Sequence, residues 1–80
     1  MKKLTTNFKI LYVKRNSNSY YGNPAYSITV EAENGEIFEG KTAANSLIGY
    51  CVSSEWINSY KLLIYHFTKN GNCIFDYLID

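Results

Sequence analysis

Two Asn-Gly pairs, Asn34-Gly35 and Asn70-Gly71, most constrain what this chain can fold into. Each lies between two short apolar runs of β character. Both residue types tolerate the positive φ that a two-residue type I′ hairpin turn demands. Two such turns in 80 residues predict a small antiparallel β domain.

The runs around those turns set the element order. A first strand is expected over residues 4–14, with Phe8, Ile10 and Tyr12 on one face and Lys9, Leu11 and Val13 on the other. A polar loop rich in Ser, Asn and Gly follows, with the adjacent tyrosines Tyr20 and Tyr21 inside it. The second strand alternates cleanly: Tyr26, Ile28, Val30 and Ala32 against Ser27, Thr29, Glu31 and Glu33. A short third strand is expected around residues 36–39. Ala44, Leu47, Ile48 and Cys51 then fall at helical spacing, with Thr42 as N-cap, which predicts one short helix weakened by Gly49. The fourth strand is expected over 60–67 and the fifth over 73–79, with Cys73, Phe75, Tyr77 and Ile79 on one face and Asp76 turned to solvent.

The order is therefore β-β-β-α-β-β with one short helix. The fold class is mainly β (α+β), as a five-stranded antiparallel sheet or a small barrel of the OB or SH3 type. A chain of this length forms one domain, residues 1–80, and buries somewhat more than ~60% of its unfolded surface. A hydrophobic share of 46% and an aromatic share of 16% argue against disorder. Ile74 and Leu78 oppose Phe75 and Tyr77 in the last strand. An unclosed sheet would leave that second face and an edge uncovered, which points toward a homodimer through Ile74 and Leu78.

The charges are segregated although their sum is only +1. Lys2, Lys3, Lys9, Lys14 and Arg15 precede residue 30, and Glu31, Glu33, Glu36 and Glu39 follow it without an intervening base. Two readings stand side by side. Cross-strand pairing would set Lys9 or Arg15 opposite Glu31 or Glu33, whereas a free basic patch would serve phosphate or an acidic partner. The polar residues Thr5, Thr6 and Asn7 interrupt any apolar leader core, and no apolar run reaches a membrane-spanning length. A cytoplasmic location in a bacterial host cell is expected, with no membrane association. Cys51 and Cys73 are expected reduced, unpaired and buried.

Chemistry-bearing constellations are sparse. The single histidine, His66, lies in the fourth strand, where a partly buried, hydrogen-bonded imidazole is expected. With Cys51 and Cys73 it lacks zinc-ligand spacing. No carboxylate pair or phosphate-binding glycine loop stands out, so no catalytic residue, metal or cofactor is expected and the chain is read as a non-enzyme. What remains is aromatic residues beside bases. Lys9, Lys14, Arg15, Tyr20 and Tyr21 form one candidate partner-binding or nucleic-acid-binding group, and Trp56 with Tyr60 a second. For Tyr20, Tyr21 and Trp56 a packing role is the open alternative.

Three segments carry a resemblance: Gly22-Asn23-Pro24-Ala25-Tyr26, residues 41–50, and Thr68-Lys69-Asn70-Gly71 before Tyr77. Together they resemble small bacteriophage and mobile-element proteins in which a Gly-Asn-Pro-x-Tyr/Phe strand entry precedes a short Ala-rich helix and a last hairpin. The resemblance implies a protein of the anti-CRISPR or anti-defence kind, which binds a host protein or complex, such as a defence nuclease, and blocks it sterically. The alternative is an OB-like protein that binds single-stranded nucleic acid.

Overall fold

The computed structural model describes residues 2–79. Its strands are β1 (Leu4–Arg15), β2 (Tyr26–Glu31), β3 (Ile37–Thr42), β4 (Tyr60–Phe67) and β5 (Cys73–Ile79). They close into a barrel in the order β1-β2-β3-β5-β4. β1 makes this closure possible by pairing twice: Lys9–Arg15 with β2 and Leu4–Lys9 with β4, antiparallel in both cases. The barrel is shut by a short β3–β5 ladder, Gly40–Thr42 against Cys73–Phe75, which is parallel. An all-antiparallel open sheet is thereby overturned, and the order of elements is that of an OB-like Greek-key barrel.

The core follows the alternation of the strands. Phe8, Ile10, Ile28, Val30, Leu63 and Phe75 are fully buried. Phe8 meets Phe38, Tyr65 and Phe75 edge-on at ring-centroid distances of 5.6, 5.1 and 5.8 Å. Two β-bulges correct the expected faces of the outer strands. In β1 the pairing steps from Ile10↔Val30 to Tyr12↔Thr29, so Leu11 is the extra residue, Tyr12 turns outward and Val13 turns to the core. In β5 it steps from Phe75↔Tyr65 to Tyr77↔Ile64 around Asp76. Tyr77 and Ile79 are consequently exposed, Leu78 packs on the core, and Asp76 is buried rather than solvated.

The expected helix does not form. β3 continues through Thr42, whose Oγ1 accepts from the Tyr26 amide at 3.0 Å and so ties two strands instead of capping a helix. Beyond it only two single 3-10 turns occur, Ile48–Tyr50 and Ser54–Trp56. Two contacts fix this segment against the barrel. Ser46 Oγ donates to the carbonyl of Asp76 and accepts from the Ile48 amide. Gly49 lies so close to Pro24 that a Cβ there would sit 1.9 Å from the proline carbonyl oxygen. The segment instead plugs one end of the barrel with Ile48, Val52 and Trp56.

The Asn-Gly turns are hairpins, but not of type I′. Only the glycines take positive φ, +87° at Gly35 and +82° at Gly71. The Gly35 amide donates to Ala32 O and the Ala32 amide to Glu36 O; the Gly71 amide donates to Thr68 O and the Thr68 amide to Asn72 O. This is a three-residue loop, a type I turn closed by a left-handed glycine. The same pattern recurs in the first loop. The Gly22 amide donates to Ser19 O, the Ser19 amide to Asn23 O, and Gly22 has φ +81°.

Candidate binding surface

That third turn explains the adjacent tyrosines. Tyr20 and Tyr21 occupy the two central positions of a type I turn, where side chains project away from the chain reversal. Tyr20 is 95% exposed and Tyr21 65%. Their rings meet edge to face at 5.4 Å and 85°. Both are therefore surface residues.

The tip is held from below. Asn16 and Ala25 pair through a backbone bond of 2.9 Å, and Asn16 Nδ2 donates to Ser27 Oγ at 2.9 Å. The Arg15 guanidinium donates to the carbonyls of Asn16 and Ala25 and to Asn18 Oδ1, and lies 5.5 Å from the Tyr26 ring centroid. Its donors serve the loop itself. From the side, Ser19 Oγ and Asn23 Nδ2 both donate to Ala44 O, at 2.7 and 3.1 Å. Loop 16–25 is thus lashed to the segment after β3, which carries exposed Leu47 and Tyr50. Leu47, Ile48, Cys51, Tyr77 and Leu78 line a shallow groove of about 360 Å³ there, with Asn45 and Ser46 and no charged side chain. Lys14 lies near the loop base, in register with Ser27 of β2, which is itself opposite Lys41 of β3.

The remaining sequence candidates separate. Lys9 and Tyr60 are partners in the β1–β4 ladder and line a different groove with Glu31 and Glu33. Lys9 is also opposite Glu31 as expected, yet no ion pair within 4.0 Å joins them; among the described residues only Lys3 and His66 pair with an acid, and both with Asp76. Trp56 is 5% exposed and stands as a barrel plug, which removes it from the contact residues. Lys61 Nζ sits 5.3 Å from its ring centroid.

Two features escaped sequence reasoning. One is the apolar face of Leu47, Tyr50 and Tyr77. Leu47 was assigned to a buried helical stripe, and the Asp76 bulge that exposes Tyr77 has no sequence signature. The other is the cluster beneath β5. Asp76 Oδ2 meets His66 Nδ1 at 2.7 Å and Asp76 Oδ1 meets Lys3 Nζ at 3.1 Å, so both carboxylate oxygens are engaged. Cys73 lies nearby but faces the core. Burial, reinforced by the Asp76 charge, pushes its thiol up to about 12, which makes it a protonated, poor nucleophile at neutral pH. Cys51 is exposed, contrary to expectation, because the irregular segment carries it on the outer wall of the apolar groove. Both thiols are free. Among the described residues no three His, Cys, Asp or Glu side chains converge as metal ligands, and no helix is long and apolar enough to cross a membrane.

Comparison with protein-family models, curated proteins and solved structures returned no match for this chain.

Proposed function

We propose that this chain is a non-enzymatic binding protein that covers a functional surface of a host macromolecule, with Tyr20, Tyr21, Leu47, Tyr50 and Tyr77 as its contact face. The observation that carries the reading is the exposed tyrosine pair, displayed on a hydrogen-bonded turn whose loop is tied to Ala44, next in the chain to the residues of an uncharged apolar groove. Tyrosine gives large contact area at low entropic cost, and preorganised aromatic anchors dominate protein interfaces. A phage or mobile-element protein that sterically blocks a defence nuclease is the specific form of this reading; it rests on the sequence resemblance described above. Affinity capture from a bacterial lysate tests it. The wild-type chain should retain a protein at stoichiometric level, and the double variant Tyr20→Ala, Tyr21→Ala should lose it. Retention of nucleic acid with no such protein would sink the reading.

A second reading, binding of single-stranded nucleic acid, draws support from the OB-like barrel and from Lys14 at the base of the tyrosine loop. Base stacking on tyrosine contributes ~1–3 kcal/mol per base. Fluorescence anisotropy with a labelled oligothymidylate should then show affinity that falls steeply with salt and drops about tenfold in Tyr20→Ala.

A further inference from the structure

The two Asn-Gly hairpins emerge together at the end of the barrel opposite the tyrosine loop. Between them the barrel is notched. β3 is paired with β2 along Ile37–Lys41, but its ladder to β5 covers only Gly40–Thr42. The Ala32 amide donates to Glu36 O, so the backbone of Glu36 points toward β2. By strand alternation Phe38 does the same, and the N–H and C=O of Ile37 and the N–H of Glu39 point into the notch, the Glu39 carbonyl being taken by the β5 ladder at Cys73. Such groups are a template for another strand. The notch continues as two shallow grooves of about 370 and 400 Å³, which share Glu36, Phe38 and Phe67. The two rings lie 6.2 Å apart, and Phe67 is 44% exposed.

The rim is acidic and unneutralised. Glu33, Glu36 and Glu39 line these grooves, and no lysine or arginine does. Among the described residues none of the three forms an ion pair. The nearest base in sequence, Lys41, follows Glu39 by two residues and shares with it the groove over the β3–β5 ladder, but lines neither of these two grooves, and neither does Lys69 on the other hairpin tip.

We propose that the notch between the hairpins takes an extended, lysine- or arginine-bearing segment of a partner protein. The segment would pair with the backbone of Ile37 and Glu39, set an apolar side chain against Phe38 and Phe67, and place its cations among Glu33, Glu36 and Glu39. Main-chain pairing supplies affinity in such strand additions, and alternate side chains supply specificity. The rim charge selects the sign of the segment and excludes acidic or nucleic-acid partners.

The proposal rests on the reading of the chain as a protein-binding molecule, but its test does not use the tyrosine face. The probe is a short blocked peptide alternating valine and lysine, titrated into the labelled protein while amide shifts are followed by NMR. Shifts should concentrate at Ile37–Glu39, Phe67 and Asn72. Binding should weaken about tenfold or more in the double variant Glu36→Lys, Glu39→Lys. N-methylation of the central valine, which removes a peptide donor without touching the protein, should weaken it likewise. The proposal is overturned by any of four results: no shifts, shifts confined to the tyrosine loop, equal binding of the valine–glutamate peptide, or indifference to N-methylation. A negative result alongside a partner captured through Tyr20 and Tyr21 would discard the notch and leave the contact face standing.

Discussion

Asp76 acts on both the backbone and the side chains around it. As the bulged residue of β5 it reverses the facing of the strand's last residues, and its carboxylate gathers Lys3 and His66. Asp76→Ala leaves the half-buried His66 Nδ1 without its partner. The expected loss is about 1–3 kcal/mol, read as a drop in the urea midpoint at unchanged slope. The two cysteines differ in the same local terms. Iodoacetamide at pH 8 should modify one thiol of the folded chain, Cys51, and both after unfolding without reductant. Cys73 also makes stability depend on alkaline pH. Its proton leaves the unfolded chain from an ordinary 9.0 and the folded chain only near about 12. The folded-state pKa is raised, so its contribution is whole below pH 9 and is lost as pH rises toward 12. Urea titrations at pH 8 and pH 10.5 should show a smaller alkaline loss in Cys73→Ala than in the wild type.

At the level of elements, the segment after β3 is held by contact with loop 16–25 rather than by helical propensity. Gly49→Ala would drive a methyl group into the Pro24 carbonyl and should cost about 1–3 kcal/mol, with broadened or shifted amide resonances in the tyrosine loop. At Gly35 a Cβ meets open space, so Gly35→Ala tests left-handed strain alone and should cost about 1–2 kcal/mol. β5 offers a paired test. Leu78→Asp places a carboxylate against the core and should destabilise by about 2 kcal/mol or more, whereas Tyr77→Asp should change stability by no more than about 0.5 kcal/mol. Equal effects would mean that the bulge does not turn the strand. These elements also mark how far the sequence could be read. β4 and β5 run over the residues expected, because alternation and turn residues are local signals. The faces of β1 and β5 were not legible beyond Leu11 and Asp76, since one looped-out residue reverses parity without altering composition. The helix was misread because Ala44, Leu47, Ile48 and Cys51 satisfy a helical spacing, whereas the segment is fixed by contacts distant in sequence, Ser46 with Asp76 and Gly49 against Pro24. Of the proposed contact face, Tyr20 and Tyr21 were visible as an oddity in a polar loop; Leu47 and Tyr77 were hidden by those two errors.

At the scale of the whole molecule, the barrel separates two ends of different character. One presents tyrosines and an uncharged groove; the other presents glutamates around phenylalanines. Because Tyr20 and Tyr21 lie outside the core, replacing both by alanine should leave stability within about 0.5 kcal/mol of the wild type while abolishing capture of the partner. A variant that loses both would place the tip in the folding unit. Closure also bears on assembly. β1 reaches both neighbours and β3 meets β5, so Ile74 and Leu78 do not lie on an open sheet edge. The three hairpin tips, Tyr20-Tyr21-Gly22, Glu33-Asn34-Gly35 and Lys69-Asn70-Gly71, share one hydrogen-bond pattern and one left-handed glycine. In each, two residues precede the left-handed glycine, and at Asn34 the side chain also serves the turn by accepting from the Glu36 amide at 3.0 Å. The first residue of each tip, Tyr20, Glu33 and Lys69, is exposed, so one turn geometry presents an aromatic, an acidic and a basic side chain from the same barrel.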